Sequence, residues 1–169
     1  MIKTSVLKII PKTLSGSIDL SGSKISAIVG LIISLSTEKK FIFRNFPQYL
    51  LDVNICLKMI QNLGKQIDID KNRVTITQNT QLNGELISNE HSIRYTPLIM
   101  AALLINNNKV KVPLPGGCKI GDRKIDVYEY IFKKFGVNFS INENHMIAET
   151  KKKLKVNKLV LKKISTGGT

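Results

Sequence analysis

The feature that most constrains this chain is an internal repeat. Between residues 14 and 78 the sequence reads as strand, helix, strand, helix and hairpin, and the same order recurs between residues 82 and 150. In the first copy Ser15-Gly16 begins a short strand, Ser17 to Leu20, and Ser21-Gly22-Ser23-Lys24 caps a helix with Ala27, Ile28, Leu31, Ile32 and Leu35 at helical spacing. Lys40 to Arg44 alternates as a strand. Asn45-Phe46-Pro47 turns into a helix with Leu51, Ile55, Met59, Ile60 and Leu63 on its apolar face, closed by Gly64. Gln66 to Asp70 and Arg73 to Thr77 form a hairpin through Lys71-Asn72.

In the second copy, residues around Leu82 to Ser88 resemble the strand before Lys24. Ser92-Ile93-Arg94 opens a helix with Leu98, Ala101, Ala102 and Ile105. Lys109 to Val112 is a strand, Ile125 to Phe135 a helix closed by Gly136, and Val137 to Ile141 with His145 to Glu149 a second hairpin. Phe41 matches Val110 at an offset of 69 and Asp52-Val53 matches Asp126-Val127 at 74, so the second copy carries five extra residues between strand and helix. Those residues fall on the loop Pro115-Gly116-Gly117-Cys118. A third copy begins at Lys155 to Lys162, which reads as a strand, and ends on Ser165-Thr166-Gly167-Gly168-Thr169, a helix start with no helix after it; a frayed glycine-rich tail is the alternative, and the register with the two earlier helix starts favours a truncation instead.

An insertion into a repeated scaffold is where function tends to be added. Cys118 stands at the tip of the inserted loop, with Lys119, Arg123 and Lys124 close by in sequence. Cations and free backbone N–H groups favour a thiolate, and glycines let the backbone approach an anion. The alternative is an ordinary glycine turn with an inert cysteine; the position of the insertion favours the reactive one. Cys56, inside a helix beside its apolar face, reads as a structural thiol. Lys24 lies in the first turn of its helix, where it opposes the dipole unless an anion is bound beside it. A solvent-exposed lysine is the simpler reading of that fact alone, and Asp52 is most simply an N-terminal charge matched to its own helix.

Composition narrows the class. The 169 residues suffice for one ordinary domain or two small ones, and 43% hydrophobic with 22% charged residues is normal for a globular protein. The formal charge of +14 would raise nucleic acid as a partner, yet arginine occurs only at Arg44, Arg73, Arg94 and Arg123, and the lysines follow a bias spread over the whole chain. The densest run, between Lys151 and Lys163, alternates with apolar residues as a solvated strand face does. Two cysteines make neither a disulfide framework nor a metal-ligand set. The N-terminus has no signal-peptide core, and the apolar runs Ile28 to Leu35 and Pro97 to Ile105 fall short of the ~20 residues that cross a bilayer. A cytoplasmic α/β (α+β) protein is expected, with neither nucleic acid nor membrane as partner.

The Ser-Gly-Ser-Lys start, the Asp-Val helix ending in Leu-Gly, and above all Pro-Gly-Gly-Cys-x-Ile-Gly-x-Arg-x-x-Asp resemble the enolpyruvyl transferase family, and within it the UDP-N-acetylglucosamine enolpyruvyl transferases of the first committed step of peptidoglycan synthesis. The resemblance runs over the whole chain but covers less than half of such an enzyme, its N-terminal portion. It implies an inverted α/β barrel-like domain of repeated βαβαββ units, here two and the start of a third (residues 155–169). It also implies a reaction needing no cofactor and no metal, with phosphoenolpyruvate, UDP-N-acetylglucosamine and the C-terminal half of the enzyme as partners. Roles in cell-wall biogenesis, cell shape, cell cycle and cell division follow from the same resemblance.

By resemblance Cys118 is the proton donor to the methylene carbon of phosphoenolpyruvate and the thiol that fosfomycin alkylates. Lys24 and Arg123 match residues that hold its phosphate and carboxylate. Arg94, Arg123, Lys124, Ile125, Asp126 and Val127 match nucleotide-sugar contacts, as do Lys163, Ile164, Ser165 and Thr166. Ile25 occupies a substrate-binding position where the family carries asparagine. A butyl group cannot replace an amide, and polar substrate groups left unpaired cost ~1–3 kcal/mol each. Lys124 stands where proline is usual, and the family's acidic base belongs to the half absent here. Three readings follow: a portion of a transferase inactive by itself, a non-catalytic relative that binds a nucleotide sugar or a partner domain, and the weakest, a nucleic-acid binder. An apolar face left unpaired by the third copy predicts poor solubility for the isolated chain.

Overall fold

The computed structural model describes residues 8, 10, 11, 13, 15–87, 93–116, 125–151, 154, 155 and 158–161. Among these, four helices and six strands follow in chain order: α1 Lys24–Ser34, β1 Phe41–Phe43, α2 Leu51–Asn62, β2 Gln66–Asp70, β3 Arg73–Thr77, α3 Thr96–Leu103, β4 Lys109–Pro113, α4 Asp126–Lys134, β5 Asn138–Ile141 and β6 His145–Glu149. Helix, strand, helix and hairpin therefore occur twice. The two antiparallel sheets share one topology, β1-β3-β2 and β4-β6-β5, with the last strand of each set in the centre.

Alternation explains the central strands. Val74 and Ile76 of β3, and Met146 and Ala148 of β6, turn inward and are fully buried, while their neighbours face outward. The register follows: Phe41 opposes Ile76, Ile67 opposes Ile76 from the other side, and Phe139 opposes Ala148. The helices cover these inner faces. Ile28, Leu31 and Leu35 of α1 meet Val53, Cys56 and Ile60 of α2 and Ile99, Met100 and Leu103 of α3 in one continuous core. Helix α1 packs on both α2 and α3 and so joins the two copies.

Both hairpin-leading helices end alike. Gly64 (φ +110°) and Gly136 (φ +76°) follow α2 and α4 in the left-handed region. Gly64 N donates to Gln61 O and Lys65 N to Ile60 O, and Gly136 N to Lys133 O and Val137 N to Phe132 O, the paired bonds of a Schellman motif. Both glycines stand at the closing positions expected from sequence.

Five expectations need correction. Residues 17–20 form no strand: Ile18 and Leu20 are 86% and 83% exposed, because no described segment offers them a ladder. Leu82 to Ile87 makes a single parallel bridge, Glu85 to Lys111, with Lys111 N donating to Gly84 O and Leu86 N to Lys111 O; Ser88 lies outside the described residues. Helix α3 starts at Thr96 rather than at Ile93, since Pro97 suits a first turn, and its buried face is Ile99, Met100 and Leu103 while Ala101 and Ile105 are exposed. The run is apolar all round, so periodicity could not choose the face. In α2 the expected Met59, Ile60 and Leu63 are buried together with Val53, Cys56 and Leu57, while Leu51, expected inward, is 69% exposed. Lys155 and residues 158–161 are in no strand, and residues 162–169 lie outside the described set.

Candidate functional site

Lys24 is the first residue of α1. Ser23 caps that helix, its Oγ accepting from Ser26 N at 3.4 Å. Asp52 lies in the first turn of α2, and Lys24 Nζ donates to its Oδ2 at 3.0 Å, both side chains remaining about half exposed at 49% and 42%. The two start turns therefore meet through an ion pair. A lysine that would oppose the α1 dipole is offset by a carboxylate that the α2 dipole favours. A half-exposed pair contributes little to stability, ~0–1 kcal/mol. Its effect is to place an ammonium group at the junction of two helix N-termini, where free N–H groups also favour an anion.

The backbone beneath Lys24 is held by a turn. Asn45 is left-handed at φ +51°, and its Nδ2 donates to Leu20 O at 3.0 Å. Gly22 passes so close that a Cβ would lie 2.0 Å from Asn45 O. The turn is itself tied to the tip of the first hairpin: Phe46 N donates to Asn72 O at 2.8 Å and Gln48 Nε2 to Lys71 O at 2.6 Å.

Ile25 is 59% exposed beside Lys24, with no polar group to offer where an amide was expected from the resemblance. Arg94 is half-buried in the turn before α3, followed by Tyr95 as N-cap and then Thr96, whose fully buried Oγ1 has no hydrogen-bond partner among the described residues. Ile125 is the N-cap of α4, half-buried. Asp126 is exposed in the first turn with Oδ1 accepting from Val127 N at 2.9 Å, and Val127 is half-buried. The structure thus joins Lys24 to Asp52, keeps Ile25 beside Lys24 in α1, and sets the other described candidates at the starts of α3 and α4. Cys118, Arg123, Lys124, Lys163, Ile164, Ser165 and Thr166 lie outside the described residues.

Cys56 is fully buried, and burial pushes its thiol up to about 12 from an ordinary 9.0. It is inert in the folded chain, as its helical position suggested. Among the described residues no group of histidine, cysteine and acidic side chains could hold a metal ion, and no helix is long and apolar enough to cross a membrane.

The Asn45-Phe46-Pro47 turn was legible in the sequence, but the Lys24–Asp52 pair, the left-handed backbone of Asn45 and its bond to Leu20 O were not. The signal for the pair was opposite charges in the first turns of successive helices, each of which was read singly. For Asn45 it was an asparagine, tolerant of the left-handed region, before Phe-Pro.

Comparison with known proteins decides the family. Residues 9–169 match the family described as EPSP synthase (3-phosphoshikimate 1-carboxyvinyltransferase). The chain belongs to the EPSP synthase family. Among curated relatives in the EPSP synthase family, UDP-N-acetylglucosamine 1-carboxyvinyltransferase from Buchnera aphidicola subsp. Schizaphis graminum is 35% identical over 159 residues, covering 94% of this chain and 38% of the relative. The enzyme of the same name from Elusimicrobium minutum is 32% identical over 163 residues, with 94% and 37% covered. The chain therefore spans well under half the length of these relatives. In structure it is similar to the enolpyruvyl transferase NikO from Streptomyces tendae, with a TM-score of 0.67 at 15% identity over 83% of this chain and 31% of that one. That likeness shows the fold alone, the inverted α/β barrel of the enolpyruvyl transferases, here with two antiparallel sheets and four helices in the described residues.

Proposed function

We propose that this chain supplies the cysteine-loop portion of an enzyme that transfers the enolpyruvyl group of phosphoenolpyruvate to the 3-hydroxyl of UDP-N-acetylglucosamine. The observation that carries this reading is identity of 30–36% over most of this chain to enzymes named for that activity, joined to a Lys24 ammonium set at two helix N-termini. In the proposed reaction the sugar hydroxyl adds to C2 of phosphoenolpyruvate while Cys118 gives a proton to C3. Loss of that C3 proton then restores the double bond and expels phosphate. Lys24 and Arg123 neutralise the phosphate and carboxylate, which is where charge must be stabilised as phosphate leaves. Arg94, the stretch from Arg123 to Val127, and Lys163 to Thr166 hold the nucleotide sugar. The acidic base belongs to a part of the enzyme outside these 169 residues, so this portion alone is inactive. The setting is the cytoplasm, where both substrates are made, and the product feeds peptidoglycan and hence cell growth and division.

Ile25 favours a second reading. An exposed apolar side chain beside Lys24, in place of an amide, suits a relative that binds the nucleotide sugar without chemistry. Phosphate release from phosphoenolpyruvate by the full-length protein separates the two. Release that requires UDP-N-acetylglucosamine supports the transferase. Saturable nucleotide-sugar binding without phosphate release replaces it with the second reading.

A further inference from the structure

We infer that Asn45 is a positioning residue for Lys24. The inference rests on the proposed placement of Lys24 among the groups that hold the anionic substrate. Four observations carry it. Asn45 is one of two described non-glycine residues with positive φ, and its backbone carbonyl lies where any Cβ at position 22 would strike it at 2.0 Å. Its side-chain amide donates to Leu20 O at 3.0 Å, just ahead of the Ser21-Gly22-Ser23 approach to α1. Its successor Phe46 is pinned to Asn72 O at the tip of the β2–β3 hairpin. Asp52, which receives the Lys24 ammonium, starts the helix that this same turn leads into.

The hairpin tip is thereby connected through one left-handed residue to the start turns of both α1 and α2. The segment it steadies has no sheet of its own, since residues 17–20 are exposed and unladdered. Among the described residues, the Asn45 amide on Leu20 O and the close approach of Gly22 to Asn45 O and Pro47 set the angle at which the chain enters α1. Asn45 touches no substrate group in this arrangement; it acts through Lys24.

Trace acylation of the full-length protein, read lysine by lysine by mass spectrometry, tests this with Asn45→Gly and Asn45→Asp. Both variants tolerate the left-handed conformation and neither can donate to Leu20 O. In both, the labelling rate of Lys24 is expected to rise several-fold as the ammonium leaves the shelter of Asp52, with Lys39, Lys40 and Lys58 unchanged and the melting temperature held. The phosphoenolpyruvate concentration that half-protects Lys24 is expected to rise about tenfold, the scale on which sub-ångström misplacement acts. An unchanged Lys24 rate in both variants overturns the inference, as does a uniform rise over all lysines, which would mean general loosening. If phosphoenolpyruvate fails to protect Lys24 even in the wild type, the proposed function falls, while the labelling rates still decide the role of Asn45.

Discussion

Cys56 shows what burial does to a thiol. Held up to about 12 in the fold and near 9.0 once unfolded, it contributes stability that is fully present below pH 9 and is lost as pH rises toward 12. At pH 10 the unfolded state gains about 1.4 kcal/mol from its ionisation. Urea midpoints of the wild type should therefore fall more steeply between pH 8 and pH 10 than those of Cys56→Val, and parallel curves would contradict the assignment. Lys24 and Asp52 are the opposite case, since their half-exposed pair is worth little to folding. Asp52→Asn is expected to change stability by less than about 1 kcal/mol while weakening phosphoenolpyruvate binding by the full-length protein, read by calorimetry. A large stability loss with unaltered binding would make the pair structural. Lys65 was not singled out in the sequence. It is 2% exposed, its Nζ donating to Thr37 O at 2.8 Å, and burial lowers its pKa against the pull of Glu38. No local pattern announces a buried lysine, because its partner is a carbonyl 28 residues away.

Among the elements, those whose shape is set by neighbours in sequence were legible. The hairpin through Lys71-Asn72 and both glycine stops follow from turn chemistry, as Lys71 at φ +52° and the two Schellman motifs attest. Ser17 to Leu20 was misread because alternation says a segment can be a strand, and only a partner makes it one. In α2 only Leu51 departs from its expected face, whereas α3 is apolar all round and tertiary packing chooses its buried side. The repeated stops give a direct test. Gly64→Ala and Gly136→Ala force an L-residue into left-handed backbone and should each cost about 1–2 kcal/mol in denaturant unfolding. Their effects should add in the double variant, as they close helices in different copies. A markedly smaller combined loss would show that the two motifs are coupled. Gly30 makes a different demand, for a Cβ there would lie 2.6 Å from Phe43 Cε1, so Gly30→Ala is expected to push α1 off β1 at a cost of about 1–3 kcal/mol.

For the whole molecule, the repeat pointed to the order helix, strand, helix and hairpin that the structure shows twice around a shared core, but not to the absence, among the described residues, of the strand expected ahead of each copy. The candidate site was legible only in part, because Lys24 is positioned by Asn45 and Asp52, which are remote from it in sequence. Ile18, Leu20, Tyr49 and Leu51 are exposed and flank the starts of α1 and α2 in sequence, so the isolated 169-residue chain is expected to self-associate. Sedimentation showing a monomer at high concentration would contradict that. The reactive thiol remains the central claim, and mass spectrometry of the full-length protein after incubation with fosfomycin, with and without UDP-N-acetylglucosamine, tests it most directly. The predicted result is a single adduct on Cys118, formed faster with the sugar nucleotide present and absent from Cys56. An unmodified Cys118, or an adduct indifferent to the sugar nucleotide, would contradict a working enolpyruvyl transfer site and leave the chain a relative that has kept the fold without the chemistry.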